Sequence, residues 1–287
     1  MSKGFEKIIK DAGGLYLIAE IGINHNGDLE IAKRLIDATH ACGWHCAKFQ
    51  KRNPDVCVPE HQKDTRRETP WGEMSYLEYK YRVEFGRDEY DYINSFVSEK
   101  KIDWTASVWD IDSLEFLAEY DLPFLKVPSA HITNHSLLSA CAQSSIPLLV
   151  STGMSDWEIV DEAVNILNKG SCDYALMHCN STYPAPHEDL HLRVINKMRE
   201  RYQVSVGYSG HEQDLDPTIV AVSLGAQIIE RHVTLDHTMW GTDHSSSLEI
   251  HAMDILRKRI SDIEVMLGSE EKTITASEIP IMDKLRT

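Results

Sequence analysis

The sequence predicts an α/β protein, a closed parallel (β/α)8 TIM barrel. Short β-branched runs alternate with amphipathic stretches eight times along the chain. The clearest run, Ile228–Ile229–Glu230–Arg231–His232–Val233–Thr234, is too short for a helix and, rich in Ile and Val, reads as a strand covered on both faces whose apolar start ends abruptly in an acid, a base and an imidazole. Eight such units in 287 residues favour a closed barrel over an open doubly wound sheet.

In order, strand Leu15–Gly22 is followed by a helix that Asp28 caps and that runs to about Cys42, with Ile31, Leu35 and Ala38 on one face. Strand Cys46–Gln50 leads into residues Lys51–Arg87, where periodicity is lost among charges, three prolines and the aromatics Trp71, Tyr76, Tyr79 and Tyr81. So long a connection reads as a lid or an interface. Helix Asp88–Lys100 and strand Asp103–Ser107 come next, then helix Ile111–Glu119 and strand Phe124–Val127. Asn134 caps a helix before strand Pro147–Ser151. Helix Trp157–Asn168, strand Tyr174–His178 and a helix near Leu192–Arg201 follow. Strand Gln203–Gly207, helix Pro217–Leu224, strand Gln227–His232 and helix Leu248–Leu267 complete the set. The expected division is a barrel over 1–268 and a tail or linker over 269–287 with no further periodic segment.

Hydrophobic content of 42% and charged content of 26% suit a soluble enzyme. A formal charge of −16 argues against nucleic acid or an anionic membrane as partner, since both would be repelled. No signal-peptide core and no span-length apolar run is present, so a cytoplasmic protein is expected. The six cysteines show no C-x-x-C pair and read as reduced, buried and inert.

In a barrel, chemistry belongs at the carboxyl ends of the strands. Those ends carry Glu20, Lys48 with Gln50, Ser107, Lys126 with Ser129, Ser151 with Thr152, Ser181, Ser209 with His211, and Glu230 with His232. Two lysines among five serines suit a phosphate or carboxylate, because the ammonium supplies charge and the hydroxyls supply directed donors. The plainer reading pairs each lysine with a core acid such as Glu20. His211 and His232, at the ends of successive strands, suit a divalent metal, although any one of 14 histidines is more often an ordinary partly buried ring. The loop after the last strand carries Trp240, which suits either a pocket wall or packing on the rim.

Six ordered motifs resemble the sialic acid synthase (N-acetylneuraminate synthase) family over residues from about 15 to 270. They are Ala19–Gly27, Lys48–Phe49–Gln50, Leu149–Met154, His178–Pro184, Gly207–His211 and Glu230–Thr234. The resemblance implies condensation of phosphoenolpyruvate with an unphosphorylated sugar aldehyde, most simply N-acetylmannosamine, to give a 2-keto-3-deoxy nonulosonate and phosphate. It implies Mn2+ or Mg2+ on His211 and His232. It places phosphoenolpyruvate on Lys48, Lys126, Ser107, Ser129, Ser151, Ser181 and Ser209, and the sugar on Glu20, Gln50, Tyr183 and Asp243. Glu230 would position or deprotonate the attacking water. His131 stands where the family often has an acid. The family's carboxy-terminal antifreeze-like domain, which lends an arginine to a partner's sugar site, is not expected within these residues. The connection 51–87 or the loop around Trp240 is expected to close the site instead, and the resemblance leaves room for a homodimer. Other readings are a synthase for a different 3-deoxy-ulosonate, a metal-free Schiff-base aldolase using Lys126, and a non-catalytic sugar-phosphate binding protein.

Overall fold

The computed structural model describes residues 4–286, the side chain of Glu264 excepted; residues 1–3 and 287, the ends of the expected division, lie outside the described residues. Eight parallel strands form the barrel: β1 (Tyr16–Gly22), β2 (Cys46–Lys51), β3 (Asp103–Val108), β4 (Leu125–Val127), β5 (Leu148–Ser151), β6 (Tyr174–Cys179), β7 (Val206–Gly210) and β8 (Ile228–Thr234). Each pairs with its successor, and β8 closes on β1 from Tyr16 opposite Ile228 to Glu20 opposite His232.

Because side chains alternate across a strand, Leu17, Ala19 and Ile21 turn outward into the main hydrophobic cluster, whereas Tyr16, Ile18 and Glu20 turn inward. The interior is apolar at the amino ends, where Ile18, Cys46, Leu149, Ala175, Met177 and Ile228 meet. A helix not anticipated from the sequence, Phe5–Asp11, seals this end by burying Phe5, Ile8 and Ile9 against them. Each of those side chains contributes about 1.5–3 kcal/mol by burial. The interior is polar at the carboxyl ends, so the barrel is a well with one mouth.

Asp28 caps the first outer helix, Leu29–Ala41, by accepting from the Glu30 and Ile31 amides, as expected. Three expectations need correction. Strand Gln203–Gly207 is shifted to Val206–Gly210, because Gln203 takes a left-handed conformation (φ 56°) that ends the preceding helix, Val194–Tyr202. Residues Leu248–Glu249 first add a short parallel strand beside β8, and the helix starts at Ile250. The tail holds a further helix, Ile279–Leu285, whose Ile279, Ile281 and Leu285 are exposed. Among the described residues no helix is long and apolar enough to cross a membrane.

The connection after β2 is ordered as helix Pro54–Cys57, a hairpin pairing Arg66–Thr69 with Gly72–Ser75, and helix Tyr76–Val83. Tyr79 and Val83 bury against Ile23 above β1, and Trp240 meets the rings of Tyr79 and Trp71 at 5.2 and 5.7 Å. The two segments expected to close the site therefore pack against each other, and none of their residues is among those that line the cavity described below. Trp240 packs on the rim.

The loop after β1 buries His25 against Phe85, with ring centroids 3.9 Å apart, and burial pushes its pKa down to about 3. An unfolded histidine takes up its proton near 6.5, so stability is complete above that value and is lost as pH falls toward 3. At pH 5 the loss from His25 should be about 2 kcal/mol. Thermal melts at pH 7.5 and pH 5 should show a smaller drop for His25→Gln than for the parent, and equal drops would remove His25 as the cause.

Candidate active site

Strand register assembles the polar end of the well. Glu20 on β1 lies level with His232 on one side and Lys48 on the other; Ser107 lies level with Lys126 and Ser209 with Glu230. Together with Gln50, Ser129, Ser151, Ser181, Tyr183 and His211, these residues line a cavity of about 230 Å3. Asp243 stands apart from this lining, its carboxylate 3.9 Å from His232 Nδ1.

The lysines are paired with acids, as the plainer sequence reading had it. Lys48 Nζ lies 2.6 Å from Glu20 Oε2 and donates to Ser107 Oγ at 3.0 Å. Lys126 Nζ donates to both oxygens of Glu230 at 2.8 and 2.7 Å, and Ser209 Oγ donates to the same carboxylate at 3.0 Å. Both lysines are only 2% exposed. Burial alone would raise the Glu230 carboxyl, but Lys126 and Lys48 outweigh it and hold the group below its usual range. Glu20, with burial less fully offset by Lys48, is raised.

Just after β5, the neighbour of the strand that carries Lys126, the chain turns tightly around Gly153, whose amide donates to Ser129 Oγ at 3.0 Å. A Cβ on Gly153 would lie 2.3 Å from Ser181 Oγ and 2.8 Å from Ser129 Oγ, so only glycine leaves the hollow between them open. Cys179 also lines the cavity, with Sγ 3.2 Å from Ser129 Oγ, and Cys57 and Cys172 are only partly buried, which corrects the expectation that all six cysteines are buried. His131 is turned to the ring of Trp109, 5.1 Å away, and does not line the cavity.

His211 and His232 do converge, with ring centroids 5.7 Å apart and Tyr183 stacked on His211 at 4.2 Å. His211 Nδ1 bonds to the Asn180 carbonyl, which fixes it as the donor and leaves Nε2 as the lone-pair nitrogen, here accepting from Tyr183 Oη at 2.8 Å. Burial, reinforced by the His232 ring, pushes His211 down to about 4, and burial lowers His232 as well. Both rings are therefore neutral near pH 7, the state a metal needs, and His232 Nδ1 is buried with no hydrogen-bond partner. Among the described residues no group of three or more His, Cys, Asp or Glu side chains is placed to hold an ion, so a divalent cation would take two imidazoles from the protein and the rest of its shell from elsewhere.

Sequence reasoning missed three further features. Arg52 lies 4.5 Å over the Trp109 ring and hydrogen-bonds to Gln50 Oε1, orienting that side chain. Glu84 holds both Lys51, at 2.9 Å, and Arg52. Arg231 is wholly buried behind the two histidines.

Residues 35–272 match the NeuB family. The chain is 36% identical over 273 residues to the N-acetylneuraminate-9-phosphate synthase of Mus musculus, covering 94% of this chain and 76% of that protein. It is 33% identical to the N,N'-diacetyllegionaminic acid synthase of Legionella pneumophila, covering 94% and 78%. Among solved structures, the N-acetylneuraminic acid synthetase of Leptospira borgpetersenii superimposes with a TM-score of 0.85 at 30% identity, covering 96% of this chain and 93% of that one.

Proposed function

Because this chain belongs to the NeuB family, and its well holds two buried lysines among hydroxyls beside two neutral imidazoles, we propose that it condenses phosphoenolpyruvate with a sugar aldehyde of the N-acetylmannosamine type. C3 of phosphoenolpyruvate bonds to the aldehyde carbon, water adds at C2, and phosphate leaves, giving a 2-keto-3-deoxy nonulosonate. The observation that carries this reading is the register that gathers Lys48, Lys126, Ser107 and Ser209 at the carboxyl ends of their strands. The ammonium groups and hydroxyls would hold the phosphate and carboxylate, and Ser129, Ser151 and Ser181 would complete the cradle. A divalent ion, Mn2+ or Mg2+, on His211 and His232 would supply Lewis-acid polarisation of the aldehyde. Glu20, Gln50, Tyr183 and Asp243 would hold sugar hydroxyls. Glu230, kept ionised by two lysines, is a poor base and serves better to position the water.

The Schiff-base reading needs a neutral amine. Burial does draw Lys126 below its usual range, but its ammonium is held by both oxygens of Glu230.

A second reading puts a phosphate on the far end of the acceptor. Basic side chains stand on the wall beyond the cavity lining: Lys80 is half-buried with Nζ 5.2 and 5.4 Å over the rings of Tyr76 and Tyr79, and burial with nearby Arg52 lowers it to about 8. Arg67 lies 4.0 Å over the neighbouring Tyr76 ring. The mouse relative is named for a 9-phosphate product. Since phosphoenolpyruvate adds three carbons, C9 of such a product is C6 of the acceptor.

Phosphate release, assayed with N-acetylmannosamine, its 6-phosphate, mannose and the diacetylated hexoses, tests both readings. Release dependent on phosphoenolpyruvate, an N-acetylated aldose and a divalent metal is expected. Borohydride trapping of pyruvate on Lys126 would overturn the scheme, and so would tight phosphoenolpyruvate binding without release for any aldose.

A further inference from the structure

Arg231 stands between Glu230 and His232 on β8 and, by strand alternation, points away from the cavity they line. It is 0% exposed. One guanidinium nitrogen lies 3.0 Å from Glu212 Oε1 and donates to the Asp214 carbonyl at 3.0 Å and Thr218 Oγ1 at 2.9 Å, while the other donates to the Glu212 carbonyl. Glu212 also accepts from Tyr208 Oη at 2.9 Å and from Thr218 Oγ1 at 3.2 Å. The network thus joins β7, the segment 211–214, the helix Asp216–Ser223 and β8. A Cβ on Gly210 would lie 2.6 Å from Glu212 Oε1 and 2.9 Å from Arg231 Cδ, so the backbone is shaped to admit this pair.

His211 precedes Glu212, and His232 follows Arg231. We propose that Arg231 and Glu212 are positioning residues: by locking the segment that carries His211 to the strand that carries His232, they set the separation and aim of the two imidazoles. This rests on the metal assignment above. A buried ion pair is weak evidence for stability, since apolar side chains of similar volume often replace both partners without loss. What apolar replacements cannot reproduce is the directed set of bonds from one guanidinium to two carbonyls, a hydroxyl and a carboxylate.

The decisive variant is therefore the paired Glu212→Leu/Arg231→Met, compared with Arg231→Lys and with the parent, all as the full chain. Three quantities are read: Tm without metal, calorimetric Mn2+ binding to the substrate-free protein, and phosphoenolpyruvate binding. The paired variant should melt within about 5 °C of the parent. It should lose about 10- to 100-fold in Mn2+ affinity and in kcat, as is usual when groups supporting a metal ligand are removed, with phosphoenolpyruvate affinity within about threefold. Arg231→Lys should recover part of the Mn2+ affinity. Should the paired variant fail to fold, Arg231→Lys and Glu212→Gln give the same comparison. A folded paired variant with parental Mn2+ affinity and kcat overturns the inference. A parent that releases phosphate but binds no Mn2+ overturns it too and leaves the synthase reading intact. A parent that binds Mn2+ but never releases phosphate defeats the synthase reading and still lets calorimetry decide the inference.

Discussion

Alanine at His211 or at His232 is expected to lower kcat/KM by about a thousandfold or more. Lewis-acid stabilisation of developing charge is worth several kcal/mol, and each 1.36 kcal/mol is a factor of ten. The fold should tolerate the change: His211 gives up its bonds to Asn180 and Tyr183, at about 1 kcal/mol each, and His232 Nδ1 has no partner to lose. The expected signature is loss of Mn2+ binding by calorimetry with Tm lowered by no more than about 8 °C for His211→Ala and by less for His232→Ala. If both variants keep full activity in EDTA, the two histidines hold no metal that matters.

Lys126→Met carries a second large effect, on stability as well as binding. Met leaves the Glu230 carboxylate buried with two hydrogen bonds gone, a change that costs about 3–5 kcal/mol when one partner of a buried pair is removed. It also removes a charged donor to the bound anion, worth about 1.5–3 kcal/mol. Combining it with Glu230→Gln separates the two, because the paired variant no longer strands a charge. Its Tm should return most of the way, whereas its affinity for phosphoenolpyruvate should stay about 10- to 150-fold weak. Parental affinity in the paired variant would make Lys126 structural. Lys48→Met, which strands Glu20, should behave in the same direction.

The barrel was legible because strands covered on both faces read as unbroken apolar runs, and because polar residues at their ends need no register to be noticed. Glu20, Lys48, Lys126, His211, Glu230 and His232 were all found that way. Which of them touch was not legible, since the pairing of Lys126 with Glu230 spans 104 residues and depends on closure of the sheet. Arg231 was visible as the base between Glu230 and His232, but its partners Glu212 and Thr218 were not, because they meet it only when the segment after β7 and the helix Asp216–Ser223 pack behind β8. The helix Phe5–Asp11 has too few residues for periodicity to show, and its role comes only from the open barrel end it covers. The connection after β2 lost its pattern because its hairpin and helices bury few side chains of their own and lean on Ile23 and Trp240.

The helix that stops the lower end of the barrel has a kinetic consequence. Lys48 and Lys126 are buried at the inner end of the cavity, while Tyr183, 45% exposed, lies on its lining toward solvent. Under the proposed chemistry the smaller anion occupies the depth and the sugar the entrance, so a sugar that arrives first obstructs the route of the other reactant. On that arrangement phosphoenolpyruvate is expected to add before the aldose, and initial-rate kinetics should show excess aldose competing with phosphoenolpyruvate; no such inhibition would mean either reactant can enter first.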